Sequence, residues 1–486
     1  MKKILFLILF AIIEFQVWGQ NNFQKEFDDF FKEASNEFDS FRDQINKQYA
    51  DFLLTNWKEF TAMAPIEKPE QKPLPPVRYE NNLEIKDKDI KPVPIHFDKV
   101  IQAPAPKPQP KPVEPIKKSK ETTLENINFS CFGMNLTVRV PQSRRKFKLE
   151  SLNLGDLSRG WKKLSSHSYD SMISDCLEIR TQKKLCDWAY LQLLKSFVNS
   201  YLGNSDSATF MIAYIFSQSG YKMRLGLDGD RLFFLYGTDC IVYNRPFFKI
   251  NGSNYYVFDS DENKLFIADI PYPEEEGLSL KIEQEQIFGD AGHKKRNFKS
   301  ERYSVTSECD INEEQIRFFD TYPSGQIGDD FMTRWAIYAN TPLSESAKNI
   351  LYPSLIKKID GKTEIEGADI LLDFVQTSFE YEYDDKVWGG DRVFFAEETL
   401  YYPYCDCEDR SILYSHLVRD LLGLDVALIY YPNHLATAVK FSNGPEGDYI
   451  QLEEGDFTIC DPTFIGAPVG NTMTGMDNSS VNIIVL

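Results

Sequence analysis

The amino-acid sequence predicts an α+β protein, because in its last third helical patterns come first and strand patterns follow. Two further observations set that pattern within a larger chain. A length of 486 residues exceeds one ordinary domain and favours two or three folded units. The apolar inventory, 42% hydrophobic and 14% aromatic with 36 Phe and 25 Tyr, supplies real cores and excludes a wholly disordered chain. A formal charge of −19, from 54 Lys+Arg against 73 Asp+Glu, repels phosphate backbones and anionic lipid and argues against nucleic acid as a partner.

Residues 1–19 read as an export signal: Lys2 and Lys3 precede the apolar stretch Ile4 to Ile13, and Val17 and Gly19 lead to a cut before Gln20. Ten apolar residues fall short of a membrane span, which needs about 20. An exported, soluble protein, periplasmic or extracellular and without a membrane span after cleavage, is therefore expected. Residues 20–63 read as a long amphipathic helix, since Phe27, Phe38, Tyr49 and Phe60 recur every 11 residues, with Phe30, Phe41 and Phe52 as a second row. That stripe wants cover, either from the chain's own domain or through a protein partner or self-association. Residues 64–122 hold 13 of the 25 prolines, often alternating with Lys, and read as an extended Pro/Lys-rich linker.

An α+β unit is expected over 123–307, with helices at Leu185 to Leu202 and Ala208 to Ser219 and strands through Tyr256 and Phe258. A second spans 308–486, with helices at Ser344 to Ile359, Ala368 to Tyr381 and onward from Cys407, then strands to Thr463.

The densest chemical signal is Tyr404-Cys405-Asp406-Cys407-Glu408-Asp409-Arg410-Ser411, followed by Ile412, Leu413, Leu417, Leu421 and Leu422 at helical spacing. Asp406 suits an N-cap and Asp409 completes a capping box, which places Cys407 at the first helical position, where free N–H groups and the helix dipole favour a thiolate. The acids beside it oppose ionisation, so the thiol needs an imidazolium nearby. Of five His, His434 opens a strand and is the base candidate. His416 sits half a turn out of phase with Cys407 and roughly 13 Å along the helix, and reads as a helix-surface residue. Asp461 ends a further strand, where a carboxylate holds an imidazole by its second nitrogen. Cys407, His434 and Asp461, in that order, form the set that thiol acyl transfer requires, and an activated Cys407 is expected to alkylate faster than the other thiols.

The run from Phe394 to Ser411, with His434-Leu435-Ala436-Thr437-Ala438 and Cys460-Asp461-Pro462-Thr463, resembles bacterial transglutaminase-like cysteine peptidases over about Thr341 to Gly470. The resemblance implies a papain-like α+β core, Cys407 as nucleophile, His434 as base, Asp461 as third member, and an exported enzyme that opens peptide or glutamine-type amides. Cys405 matches no catalytic position, and Tyr404-Cys405 stands where many members have glycines. Some members bind calcium through acids near the nucleophile; here helix capping accounts for Asp406, Glu408 and Asp409 equally, so no cofactor is expected. A zinc site on Cys405, Cys407, His434 and Cys460 has an unusual Cys-x-Cys spacing. A catalytically silent envelope scaffold is the alternative to the enzyme. The stretch from Trp188 to Asp259 shows the same helix-helix-strand order with Ser207 in place of the Cys and no His, as in a degenerate copy or an unrelated α+β domain.

Overall fold

The computed structural model describes residues 41–80, 92–105, 109–114, 116, 123–143, 146–477, 479 and 481–486. The export signal and the first half of the predicted long helix lie outside the described residues. What is described mixes helices and antiparallel strands throughout, as an α+β chain should.

Residues 41–52 are helical, and the helix stops there rather than at 63. Tyr49, Ile45 and Leu53 are buried on one face, with the Tyr49 ring 4.4 Å from that of Trp161, so the chain's own upstream unit covers this row. Phe41 and Phe52 point the other way and are half exposed. Phe60, expected on the helix, instead belongs to a strand, Trp57–Thr61, that pairs with Lys264–Ala268. An 11-residue period continues across a helix end by coincidence, because in a strand the same ring simply faces one side of the pleat.

In the C-terminal unit the helix Cys407–Leu422 is buried nearly all round, capped at its start by Asp406 and ended by Gly423 at φ +66. Five strands of one sheet follow it: Val426–Tyr431, His434–Val439, Asp448–Leu452, Gly455–Cys460 and Val481–Val485. They lie side by side in the order third, fourth, second, first, fifth, all antiparallel. One face packs on the helices through Leu428, Leu435 and Cys460, while Ala427, Ile429, Ala436, Ile450, Ile459 and Ile483 form a separate core on the other.

The Pro/Lys-rich segment is not a free spacer. Val93–Pro94 pairs with the third strand of this sheet and Phe97–Gln102 with the fifth, so one short stretch hydrogen-bonds both edges and closes the sheet, with Ile95 in its core. Proline excludes central strands, but edge positions tolerate it, and covering both edges removes exposed pairing groups. Further along, Val113 donates to the Gln218 carbonyl at 2.9 Å, and the chain passes so close to Gly220, at φ +92, that a Cβ there would meet the Lys111 carbonyl at 2.1 Å.

The upstream unit repeats the plan. The helix Asp206–Gln218 leads to Met223–Asp228, Arg231–Thr238, Phe248–Ile250, Ser253–Val257 and Lys264–Ala268, again in the order third, fourth, second, first, fifth, again antiparallel, and again flanked beyond the fifth by an N-terminal strand.

Candidate active site

Cys407 occupies the first turn of its helix because the cap is built as its residues dictate. The Asp406 side chain accepts the Glu408 amide at 3.1 Å, and Asp409 reaches back to the Asp406 amide at 3.1 Å while also accepting the Phe394 amide at 2.9 Å. Arg410, fully buried, donates to the Phe379 carbonyl at 2.7 Å and ties the helix start to the end of the helix Glu364–Ser378. The second strand then brings its first residues to the thiol: the Leu435 amide, next after His434, donates to the Cys407 sulfur.

His434 and Asp461 meet at 2.8 Å, Nε2 to Oδ2. A carboxylate accepts only, so Nε2 carries the proton and Nδ1, buried without a hydrogen-bond partner, is left as the basic nitrogen. The carboxylate is itself held, since its Oδ1 accepts the Thr463 amide at 2.8 Å. Gln376 secures the loop behind it, donating to the Asp461 and Phe464 carbonyls at 3.0 and 2.7 Å and accepting the Gly466 amide at 3.0 Å. The structure thus joins His434 to Asp461 and sets Leu435, the residue after His434, against Cys407, with no hydrogen bond from His434 Nδ1 to the thiol; each of the three is no more than 3% exposed.

The resting thiol is not the activated one that sequence reasoning expects. Burial first, then the Asp406 and Glu408 carboxylates, push Cys407 well above its ordinary range, against the Leu435 amide. Burial likewise raises Asp406 and Asp409 well above the carboxylate range, and lifts Glu408 to about 8 and Asp384 to about 7.

Among the described residues, Asp384, Asp391 and Glu408 are the one trio of potential ligands gathered within 4.8 Å. Lys68 already pairs with Asp391 at 2.7 Å, and Arg334 lies 3.4 Å from Asp391 and 3.7 Å from Glu408, so side-chain cations supply the countercharge. Cys405, Cys407, His434 and Cys460 are not drawn together as a ligand set, which overturns the zinc reading. His416 is also corrected: it is buried, not on a helix surface, and burial lowers its pKa to about 3. The helix that carries it is enclosed by neighbours on both sides, which phase along one helix does not reveal. The roles of Gln376 and Arg410 escape the sequence for the same reason, since their partners are main-chain groups remote in sequence.

The upstream unit presents the same positions with other chemistry. The tight turn that pairs Tyr431 with His434 has its match in Asp228 paired with Arg231, which puts Arg231 where the imidazole stands. The Leu232 amide donates to Asp206 at 2.9 Å as the Leu435 amide does to Cys407, so Asp206, and not Ser207, holds the thiol's place. Ser207 instead accepts the Leu149 amide at 3.0 Å. Strand register carries Asp461 onto Asp259, which is ion-paired with Lys195 at 2.8 Å. Comparison with protein-family models, with curated proteins and with solved structures gives no match.

Proposed function

We propose that the C-terminal unit is a transglutaminase-like thiol enzyme of papain-like plan, acting on peptide or glutamine-type amides outside the cytoplasm. The observation that carries this reading is the bond from His434 Nε2 to Asp461, which leaves the buried Nδ1 free in the same strand start whose amide touches the Cys407 sulfur. In the reaction the sulfur attacks the amide carbon as its proton passes to His434. The C–N bond then breaks, the departing amine takes that proton, and water releases the acyl group from sulfur and restores the thiol. Hydrolysis needs only water, whereas cross-linking needs a site that excludes it.

The upstream unit fits a degenerate copy that cannot run this chemistry, since Asp206 is no nucleophile toward an amide at this position and Arg231 is no base. A silent scaffold remains the second reading, favoured by the burial and high pKa of Cys407 in the resting state.

Cleavage of a mixed peptide library, followed by mass spectrometry, tests the assignment. Cys407→Ala and His434→Ala are expected to abolish turnover, a loss of at least about 10³-fold, while Cys405→Ala leaves it within about twofold. Activity surviving Cys407→Ala, or lost equally in Cys405→Ala, overturns it.

A further inference from the structure

We propose that the surface over the triad is a groove for an extended polypeptide, and that residues 65–79 of the chain itself lie in it as a latch that keeps the thiol latent. This strap runs past groups near each of the three residues in turn. Lys68 enters the acid trio that includes Glu408, next after Cys407, and pairs with Asp391 at 2.7 Å. The strap main chain then reaches Asn433, just before His434: the Lys72 amide donates to its side chain at 3.3 Å and the Leu74 amide to its carbonyl at 3.2 Å. The Tyr381 hydroxyl donates to the Leu74 carbonyl at 3.0 Å, and after burial the largest influence raising that hydroxyl's pKa is the Cys407 thiol. Beyond Asp461, Val77 and Arg78 add a short parallel strand beside Phe464 and Ile465, and Leu74, Val77 and Tyr79 pack on Phe464, Ala467 and Met473.

These contacts describe how a peptide is recognised. An acidic end accepts a cationic side chain, main-chain bonds fix the middle, and an apolar patch takes the residues that follow. A carbonyl oxygen held by Tyr381, whose hydroxyl feels the Cys407 thiol, marks where a substrate amide would have to present itself. The strap suits the task of blocking, because prolines at 69, 73, 75 and 76 hold it extended before it binds. The chemical class that fits the vacated groove is an extended polypeptide with a basic residue about six positions ahead of an apolar one. That substrate class rests on the thiol-enzyme reading above; the latch does not.

The test measures iodoacetamide labelling of each thiol in the full chain, read by peptide mapping. Replacing Lys68→Ala, Leu74→Gly and Tyr79→Ala together is expected to speed labelling of Cys407 by at least about tenfold without speeding the other seven. A synthetic peptide of residues 65–79, added in trans, should return the rate to that of the unaltered chain. An unchanged rate, or an increase that the peptide does not reverse, overturns the latch. Should all eight thiols label together, as in an unfolded chain, Lys68→Ala alone decides: a rise of about threefold confined to Cys407 supports the latch and no rise refutes it. Peptide hydrolysis assayed beside labelling separates the two readings. Faster labelling without hydrolysis keeps the latch and removes the enzyme, and hydrolysis with unchanged labelling does the reverse.

Discussion

At Asp461 the distinction between holding an imidazole and merely being near it becomes measurable. Its two oxygens divide the work, one accepting from His434 and one from the Thr463 amide. Asp461→Asn keeps an acceptor for Nε2, whereas Asp461→Ala keeps none, so peptide turnover should fall by about 10²-fold or more in the alanine variant and far less in the asparagine variant. Equal losses would show that the carboxylate charge, and not ring orientation, is what matters. His416 offers a second test at this scale. Its folded pKa, lowered to about 3 by burial, means that the native state stays unprotonated where the unfolded chain binds a proton. Its contribution is present above pH 6.5 and is lost as pH falls toward 3, at up to about 1.4 kcal/mol per pH unit. Urea unfolding at pH 7 and pH 4.5 should show that His416→Gln flattens this acid limb.

Among elements, the helix Cys407–Leu422 and the loop after Asp461 must keep a common register for the site to exist, and Gln376 is the residue that links them from a third element. Gln376→Leu would leave the buried carbonyls of Asp461 and Phe464 without this donor. A loss of about 2–4 kcal/mol in unfolding free energy is expected, with turnover reduced even in the folded fraction. A stable Gln376→Leu protein with full activity would mean that the loop is held by its own turn. These elements differ in how openly the sequence announces them. The capping box Asp406/Asp409, the turn before His434 and the strand into Asp461 are local patterns, and each stands where sequence reasoning expects it. The end of the first described helix and the strand at Phe60 were not legible, because partner strands far along the chain decide them.

Across the whole molecule, the strap brings Lys68 into a nest of carboxylic acids whose burial opposes ionisation. Raised folded pKa values, about 7 at Asp384 and about 8 at Glu408, mean that the native state binds protons which the unfolded chain releases. The stability they contribute is complete below the usual carboxylate range and is lost as pH rises through 7 to 8. Unfolding midpoints in urea are therefore expected to fall between pH 5.5 and 8.5, and Asp384→Asn with Glu408→Gln should flatten that decline. A steeper decline in the double variant would show that the acids are ionised and held by Lys68 and Arg334.

The sequence alone determined the α+β order, the cap that seats Cys407 and the spacing that carries His434 and Asp461, because these are short-range patterns of propensity and hydrogen bonding. Only the tertiary structure decided that the two units share one strand order, that Asp206, Arg231 and Asp259 stand at the upstream unit's matching positions, and that a proline-rich stretch is bound to sheet edges and to Asn433, the residue before His434. Those outcomes depend on which distant strands and carbonyls meet, and proline content describes only how a segment is extended, not what it lies against.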